Sequence, residues 1–378
     1  MEEYIKIFDC FEKIETTREY SGYFYSVSEA ILIAILGSFC KLQTAFEIWK
    51  WASSERVKIF LKQVFKVRYV PSYPWFLELL SIIKPESMNE CFVKWVKQFL
   101  PESMLKNLTV SFDGKTIRST KNMKNYESAL HIVSAQICEL GITLAQRAVE
   151  GKTNEIPTVQ ALMGLLDIKG AIVVADALNC QKETANQIVS QGADYLLSVK
   201  DNQKNLKKDI EDYIQDKKLR KLMRTAKTKD FKSDRTEVRK AFVTYKIDWL
   251  YDRSKWKNVC CIGAINTQFK TKSHVSNEWH YYISSKNLTA KELLKHARSE
   301  WAVESMHWLL DVHYREDFCR IANKNVQKNL NMMRKFAINC IRNFKNSTGS
   351  KKSFSDLMFD CLLDCNNILN FFPKRLQT

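Results

Sequence analysis

The chain has 11 cysteines but no CxxC pair, no apolar run long enough for a membrane, and too few acidic residues to balance its basic ones. Each absence narrows the field. Cysteines scattered through apolar runs, with Cys260 and Cys261 adjacent, read as reduced core thiols, which excludes a disulfide framework and a zinc site. The longest apolar stretch, AILIAILGSF at 30–39, falls well short of the roughly 20 residues a membrane helix needs, so it reads as a buried helix and no membrane partner is expected. The opening MEEYIKIFDCFEKIE is acidic and amphipathic, unlike a secretory signal, and the expected location is inside the cell, in the cytoplasm. With 59 Lys and Arg against 42 Asp and Glu, the formal charge of +17 suits a polyanionic partner, although a lysine-rich solvated surface would look the same. The 378 residues, 45% of them apolar, are enough for two or three domains with real cores.

Helical spacing dominates residues 1 to about 100, in SEAILIAILGSFC, TAFEIWKWASSERVKIFLKQV and PESMNECFVKWVKQFL. Ser72 and Pro74 read as a helix start, with Ser72 as the cap. From residue 107 the pattern turns to strands: LTVSFDG, SALHIVSAQIC and a Gly-led GITLAQRAV predict an antiparallel meander. A helix with Asn154 at its start and Pro157 in its first turn follows, then AIVVADA, whose unbroken apolar character predicts a strand covered on both faces. QKETANQIVSQGA is a helix ending at Gly192, and DYLLSVK is another buried strand. The order βββαβαβ followed by a distant helix is that of ribonuclease H-like folds, in which the first and fourth strands lie side by side. Residues of about 204–280 read as a β-rich insertion that opens with a charged run, most simply a solvated helix face. WHYYISS then returns to the sheet, and a long helix from Thr289 carries RSEWAVESMHWLLDV.

Three carboxylates stand at telling places: Asp113 and Asp176 close apolar strands, and Glu304 rides the late helix. Phosphodiester cleavage moves negative charge between an attacking and a leaving oxygen, and two divalent ions about 3.5–4 Å apart, held by acids, stabilise both. Hard ions such as Mg²⁺ favour such oxygen ligands. Taken singly, Asp113 also reads as the Asp-Gly of a hairpin turn and Asp176 as a helix-start residue. On the late helix Glu300, Glu304, His307 and Asp311 form one stripe opposite Ala302, Met306, Leu309 and Leu310, equally suited to metals or to solvent. The neighbouring Trp301 and Trp308 suggest partial burial of His307, which is a structural histidine or a support for the acids. Lys115, Arg118, Lys152, Lys200, Asn202 and Gln203, near strand ends, and Arg235 and Arg239 with Lys240, in the insertion, are candidate DNA contacts. Trp249, Trp256 and Trp279 read as core packing rather than base-stacking surfaces.

The segments FDGKTIR, LHIVSAQ, GKTNEIPTVQALMGLLDIKGAIVVADALNCQKETANQIVSQGADYLLSVKDNQ, RTEVRK, YYISS, RSEWAVESMHWLLDVHYREDFCRI and NVQKNLNMMRKFAINCI resemble the DDE insertion-sequence transposases of the ISAs group, the H-repeat-associated proteins, over residues 6–345 or so. The resemblance implies a catalytic triad of Asp113, Asp176 and Glu304 on a ribonuclease H-like α/β core over 104–345 with the β-rich insertion. It also implies an all-helical accompanying domain over 1–103, a helical tail over 346–378, and two Mg²⁺ ions per site with Mn²⁺ able to substitute. The implied activity is cleavage at the terminal inverted repeats and joining of the freed 3′ hydroxyls to target DNA, on double-stranded DNA, with a dimer assembled there and no small-molecule substrate. A ribonuclease H-like nuclease without strand transfer, or a non-catalytic DNA-binding remnant, would carry the same features. Related members place Arg four residues before the glutamate and Lys seven after it, where this chain has Glu300 and Asp311; Arg298 is the candidate substitute.

Overall fold

A computed structural model describes residues 9–21, 24–100, 105–121, 129–149, 155–231, 236–270, 275–299 and 302–372. The architecture is mixed α/β. Five helices come first: α1 (Val27–Phe39), α2 (Ala45–Ala52), α3 (Glu55–Phe65), α4 (Tyr73–Ile82) and α5 (Pro85–Phe99). The apolar run at 30–39 is buried inside α1, as its composition requires. Thr44 caps α2 through a reciprocal pair of bonds with Glu47. Ser72 does occupy the position before α4, but its side chain makes no capping bond; Pro74 and the extended Ser72 backbone start that helix instead.

The meander is β1 (Thr109–Ile117), β2 (Leu130–Ile137) and β3 (Ile142–Ala148), antiparallel throughout, with Gly141 at φ +66° turning between the last two. Then come α6 (Glu155–Gly164), β4 (Ile172–Ala175), α7 (Lys182–Ser190) and β5 (Asp194–Val199). Asn154, the expected first residue of α6, lies outside the described residues. Gly192, at φ +74°, turns the chain out of α7, a conformation that costs glycine nothing. Strand β4 runs parallel to both β1 and β5, with Phe112 beside Ala175, so Asp113, which sits within β1 opposite Ser134 and neither closes that strand nor forms a hairpin turn, lies level with Asp176, the first residue past β4. All four residues of β4 are buried, and each Ile or Val there contributes roughly 1.5–3 kcal/mol by leaving water.

The charged run forms α8 (Lys204–Gln215), which buries Leu206, Ile210, Tyr213 and Ile214 along one face, and α9 (Lys217–Lys221). Four antiparallel strands follow: β6 (Arg224–Phe231), β7 (Thr236–Thr244), β8 (Cys261–Lys270) and β9 (Val275–Ser284). Because β9 pairs with β5, the late strands extend the sheet, giving nine strands among the described residues in the order β3-β2-β1-β4-β5-β9-β8-β7-β6.

The described residues of 290–314 form α10 (Ala290–Ser299) and α11 (Ala302–Tyr314); residues 300 and 301, between them, lie outside the described residues. Thr289 and Glu292 form the expected reciprocal cap of α10. The 25-residue α12 (Lys324–Thr348) and α13 (Phe354–Leu363) close the order. One core runs unbroken from α1 and α5 across α12 to the sheet face made by Phe112, Val133 and Ala135. The opposite face, with Ile172, Val174 and Leu196, packs on Leu293, Leu294 and Ala297 of α10. Asn339 pins α12 to β3, accepting from Thr143 N at 2.9 Å and donating to its carbonyl at 2.8 Å. Among the described residues no helix is long and apolar enough to cross a membrane.

Candidate active site

Asp113, Asp176 and Glu304 line one cleft of about 200 Å³. Its remaining wall is the far half of the sheet and α10, including Lys200, Arg239, His280, Tyr282 and Arg298. Glu304 lies in the first turn of α11. Asp176 caps the short 3-10 turn Ala177–Asn179: its Oδ1 accepts from Asn179 N at 3.2 Å and Asn179 Nδ2 at 3.0 Å, and its Oδ2 has no hydrogen-bond partner among the described residues. Burial, opposed by the Gly114 amide and reinforced by the charges of Asp176, Glu155 and Glu304, pushes the Asp113 carboxyl up to about 6. That mutual repulsion is relieved by a cation, and carboxylate oxygens are the donors a hard divalent ion takes. The donor chemistry therefore fits such an ion. Among the described residues, however, no three His, Cys, Asp or Glu side chains stand close enough to hold an ion between them, so the acids line an open cleft rather than a closed cage.

His307 lies one turn beyond Glu304, with Nδ1 3.5 Å from Asp113 Oδ2 and its side chain 15% exposed. Burial, with the charges of Lys335 and Lys115 adding to it, pushes the imidazole down to about 3, so the ring is neutral. Glu155, on α6, is a fourth acid near Asp113 that the sequence reading passed over. Its carboxylate is 3.0 Å from His131 Nε2, whose Nδ1 is 2.8 Å from Thr116 Oγ1. Gly114 makes this possible: a Cβ there would lie 2.3 Å from His131 Nε2 and 3.2 Å from Glu155 Oε2. The signal was present in the GKTNEIP and DGK motifs, but their residues meet only because β1 pairs with β2, which carries His131, and α6 packs on β2.

The candidate DNA contacts separate. Lys115 turns inward rather than toward a phosphate: its ammonium lies 2.5 Å from Asp311 Oδ1 and 3.2 Å from Glu316 Oε2, with the side chain 10% exposed. Glu316, 1% exposed, also accepts from Asn331 at 2.7 Å and lies 3.4 Å from Arg334. Asp311 is thus matched by a lysine delivered from β1. Asn202 and Gln203 donate to the carbonyls of Ala177 and Cys180 at 2.6 and 2.9 Å, so their side chains brace the turn after Asp176. Arg239 is buried between Asp230 and Glu237. Arg298, half-exposed, lies 3.1 Å from Asp230 and lines the cleft. Lys200 is exposed at the cleft and Arg118 is exposed at the end of β1. Lys152, Arg235 and Glu300 lie outside the described residues. Trp308, expected to share in burial with His307, is 58% exposed.

Residues 106–340 match the family model described as Transposase DDE domain. The chain belongs to the DDE transposase family. Residues 8–96 match the model described as DDE_Tnp_1-associated, so the family assignment extends to the N-terminal helices. The H repeat-associated protein YhhI of Escherichia coli strain K12 is 32% identical over 283 residues, covering 73% of this chain and 74% of that one. YbfD of the same strain, also H repeat-associated, is 33% identical over 150 residues, covering 40% of this chain and 58% of that one. Both names refer to a transposase, and the resemblance read from FDGKTIR through NVQKNLNMMRKFAINCI is borne out. A piggyBac transposase in a synaptic complex with hairpin DNA overlays with a TM-score of 0.44 at 10% identity, covering 99% of this chain and 83% of that one, a likeness too distant to bear on the site.

Proposed function

We propose that this member of the family cleaves the ends of its own insertion sequence and joins the freed 3′ hydroxyls to target DNA, on a ribonuclease H-like core formed by β1 to β5. The observation that carries the reading is the meeting of Asp113 and Asp176, on adjacent parallel strands, with Glu304 in one cleft. Asp113, Asp176 and Glu304 would hold two Mg²⁺ ions, for which Mn²⁺ substitutes, and bound ions supply positive charge to the attacking and leaving oxygens. Two in-line displacements at phosphorus follow one another. Water first frees the 3′ hydroxyl at the element end, its oxygen staying on the 5′ phosphate; that hydroxyl then attacks a target phosphate and releases a target 3′ hydroxyl. The chain's own part is to hold the acids against their repulsion and to seat the strand. Lys200, Arg118 and Arg298 are the exposed or half-exposed cations placed to meet phosphates, and two ends brought together would require a dimer on DNA.

The test uses labelled DNA spanning both flanks of the gene, incubated with wild type and Asp176→Asn in Mg²⁺, Mn²⁺ or EDTA. The expected result is metal-dependent cutting at inverted repeats, lost in the variant, and joining of a precut end to a second duplex. Cutting without joining would replace the reading by a nuclease, and binding without cutting in any metal would replace it by a non-catalytic DNA-binding protein.

A further inference from the structure

The helix that carries Glu304 does not bury its whole length. Glu304, Trp308 and Val312 recur at i, i+4 and i+8, which places them on one face of α11, while Val303, Met306, Leu309 and Leu310 are buried. That face is open: Trp308 is 58% exposed, Val312 45%, and Phe318, in the short turn Glu316–Phe318 just past the helix, 67%. A single exposed apolar residue needs no explanation, but a stripe that begins at a site acid does. At 1.5 Å of rise per residue it extends about 12 Å from Glu304, the reach of a few nucleotides.

Cations stand at the far end of the stripe, around the turn that follows the helix. The Arg315 guanidinium lies 5.0 Å over the Phe318 ring, and Arg118 is 87% exposed with its guanidinium 3.9 Å from Asp317. The turn after β1 is fixed against the turn after α11, since Arg118 N donates to Asp317 Oδ1 at 3.2 Å and Ser119 Oγ to the Cys319 carbonyl at 2.8 Å. The Trp308 ring meets His313 at a steep angle with centroids 5.8 Å apart.

We propose that Trp308, Val312 and Phe318, with Arg118 and Arg315 at the far end, seat unpaired bases of the DNA strand beside the scissile phosphate. This rests on the transposase reading above and adds the form of DNA that the site takes. An intact duplex hides its base faces and offers phosphates, which cations alone would meet; aromatic side chains gain only where bases are free to stack on them. A second copy of the chain is a poorer occupant. Three side chains fall far short of the roughly 1,000 Å² a stable interface buries, and two chains of formal charge +17 repel.

Binding is measured by fluorescence anisotropy in EDTA, where no cutting intervenes, with a labelled 20-nucleotide single strand and a blunt duplex of the same sequence. Wild type, Trp308→Ala and Trp308→Phe are compared as full chains, with near-ultraviolet circular dichroism to establish folding. Trp308→Ala should weaken the single strand by roughly 5- to 100-fold, the loss of one stacked base, leave the duplex within about twofold, and be largely rescued by Trp308→Phe. No loss on the single strand, equal loss on both forms, or a wild type that binds only duplex would overturn the proposal while leaving the transposase reading standing. A wild type that binds neither form would strike the transposase reading itself. Sedimentation showing a dimer that Trp308→Ala abolishes, with single-strand affinity unmoved, would assign the face to a second copy and overturn the proposal.

Discussion

Replacing Lys115 by methionine, which keeps the length of the stem and removes the charge, should cost about 3 kcal/mol at pH 7. The magnitude follows from its two partners. Asp311 is 38% exposed and can turn to water, so its share is at most about 1 kcal/mol. Glu316 has no such escape: its side chain is 1% exposed, and stripping one partner from a buried pair costs roughly 3–5 kcal/mol. The low end applies because Asn331 and Arg334 remain with it. Full burial pushes the Glu316 carboxyl up, but the Lys115 charge first, then Arg334 and Lys335, hold it below the usual range. A depressed carboxyl contributes stability that is present above its unfolded value of about 4.3 and is lost as the pH falls through the folded value. Lys115→Met removes the largest of those opposing charges, so the Glu316 carboxyl moves up from its wild-type position and the variant gains on wild type as the pH falls. Urea unfolding at pH 7 and pH 5, followed by tryptophan fluorescence, tests both statements. A deficit below about 1 kcal/mol at pH 7, or one that widens at pH 5, would refute the reasoning. Asp311→Asn is the control and should cost no more than about 1 kcal/mol.

Gly114→Ala should cost about 2 kcal/mol, because the new methyl would sit 2.3 Å from a His131 ring held at both nitrogens; in a His131→Ala background the cost should fall to about 0.5 kcal/mol, and a double-mutant cycle by urea unfolding would show additivity if the contact does not matter. His296, 3% exposed with Nδ1 2.7 Å from Thr109 Oγ1, is pushed down to about 4 by burial and the Lys295 charge, so its neutral form supports folding above the unfolded value of about 6.5 and wild type loses that support as the pH falls below it. Replacing His296 by glutamine should remove roughly 2 kcal/mol of the wild-type stability change between pH 7 and pH 5, and an unchanged slope would contradict the assignment.

What the sequence could show was set by locality. Apolar runs such as AIVVADA and the DYLLSV strand announce themselves within a few residues, and the level placement of Asp113 and Asp176 follows once those strands are paired in parallel. The Thr289 cap and the Gly192 turn are equally local. Lys115 read as a phosphate contact because nothing within its segment marks it as buried; its partner Glu316 is 201 residues away, and only packing of α11 on β1 joins them. Asn202 and Gln203 follow the same logic, donating to carbonyls 25 and 23 residues back along the chain. Helix α12 gives no local sign of its burial, since Arg334, Lys335 and Asn339 are polar yet lie buried among Glu316, Ser134, Gln146 and Thr143.

Those buried cations make sense beside the acids. Burial pushes the Asp113 carboxyl up, and the charges of Asp176, Glu155 and Glu304 add to that push, so the acids resist being brought together and have to be held from outside. The holding groups are found just behind the cleft. Lys115, two residues beyond Asp113 on β1, bonds to Asp311, two turns beyond Glu304 on α11, and so fixes the strand of the first acid to the helix of the third. Glu316 takes the same lysine and Arg334 of α12, which ties that joint to the central helix. On the other side Asn202 and Gln203 fix the turn behind Asp176. Replacing such a buried set by apolar side chains of equal volume is often neutral or stabilising, so stability alone does not account for it. An ion pair also fixes direction as well as distance, which the function proposed above would require of acids whose own charges act against them.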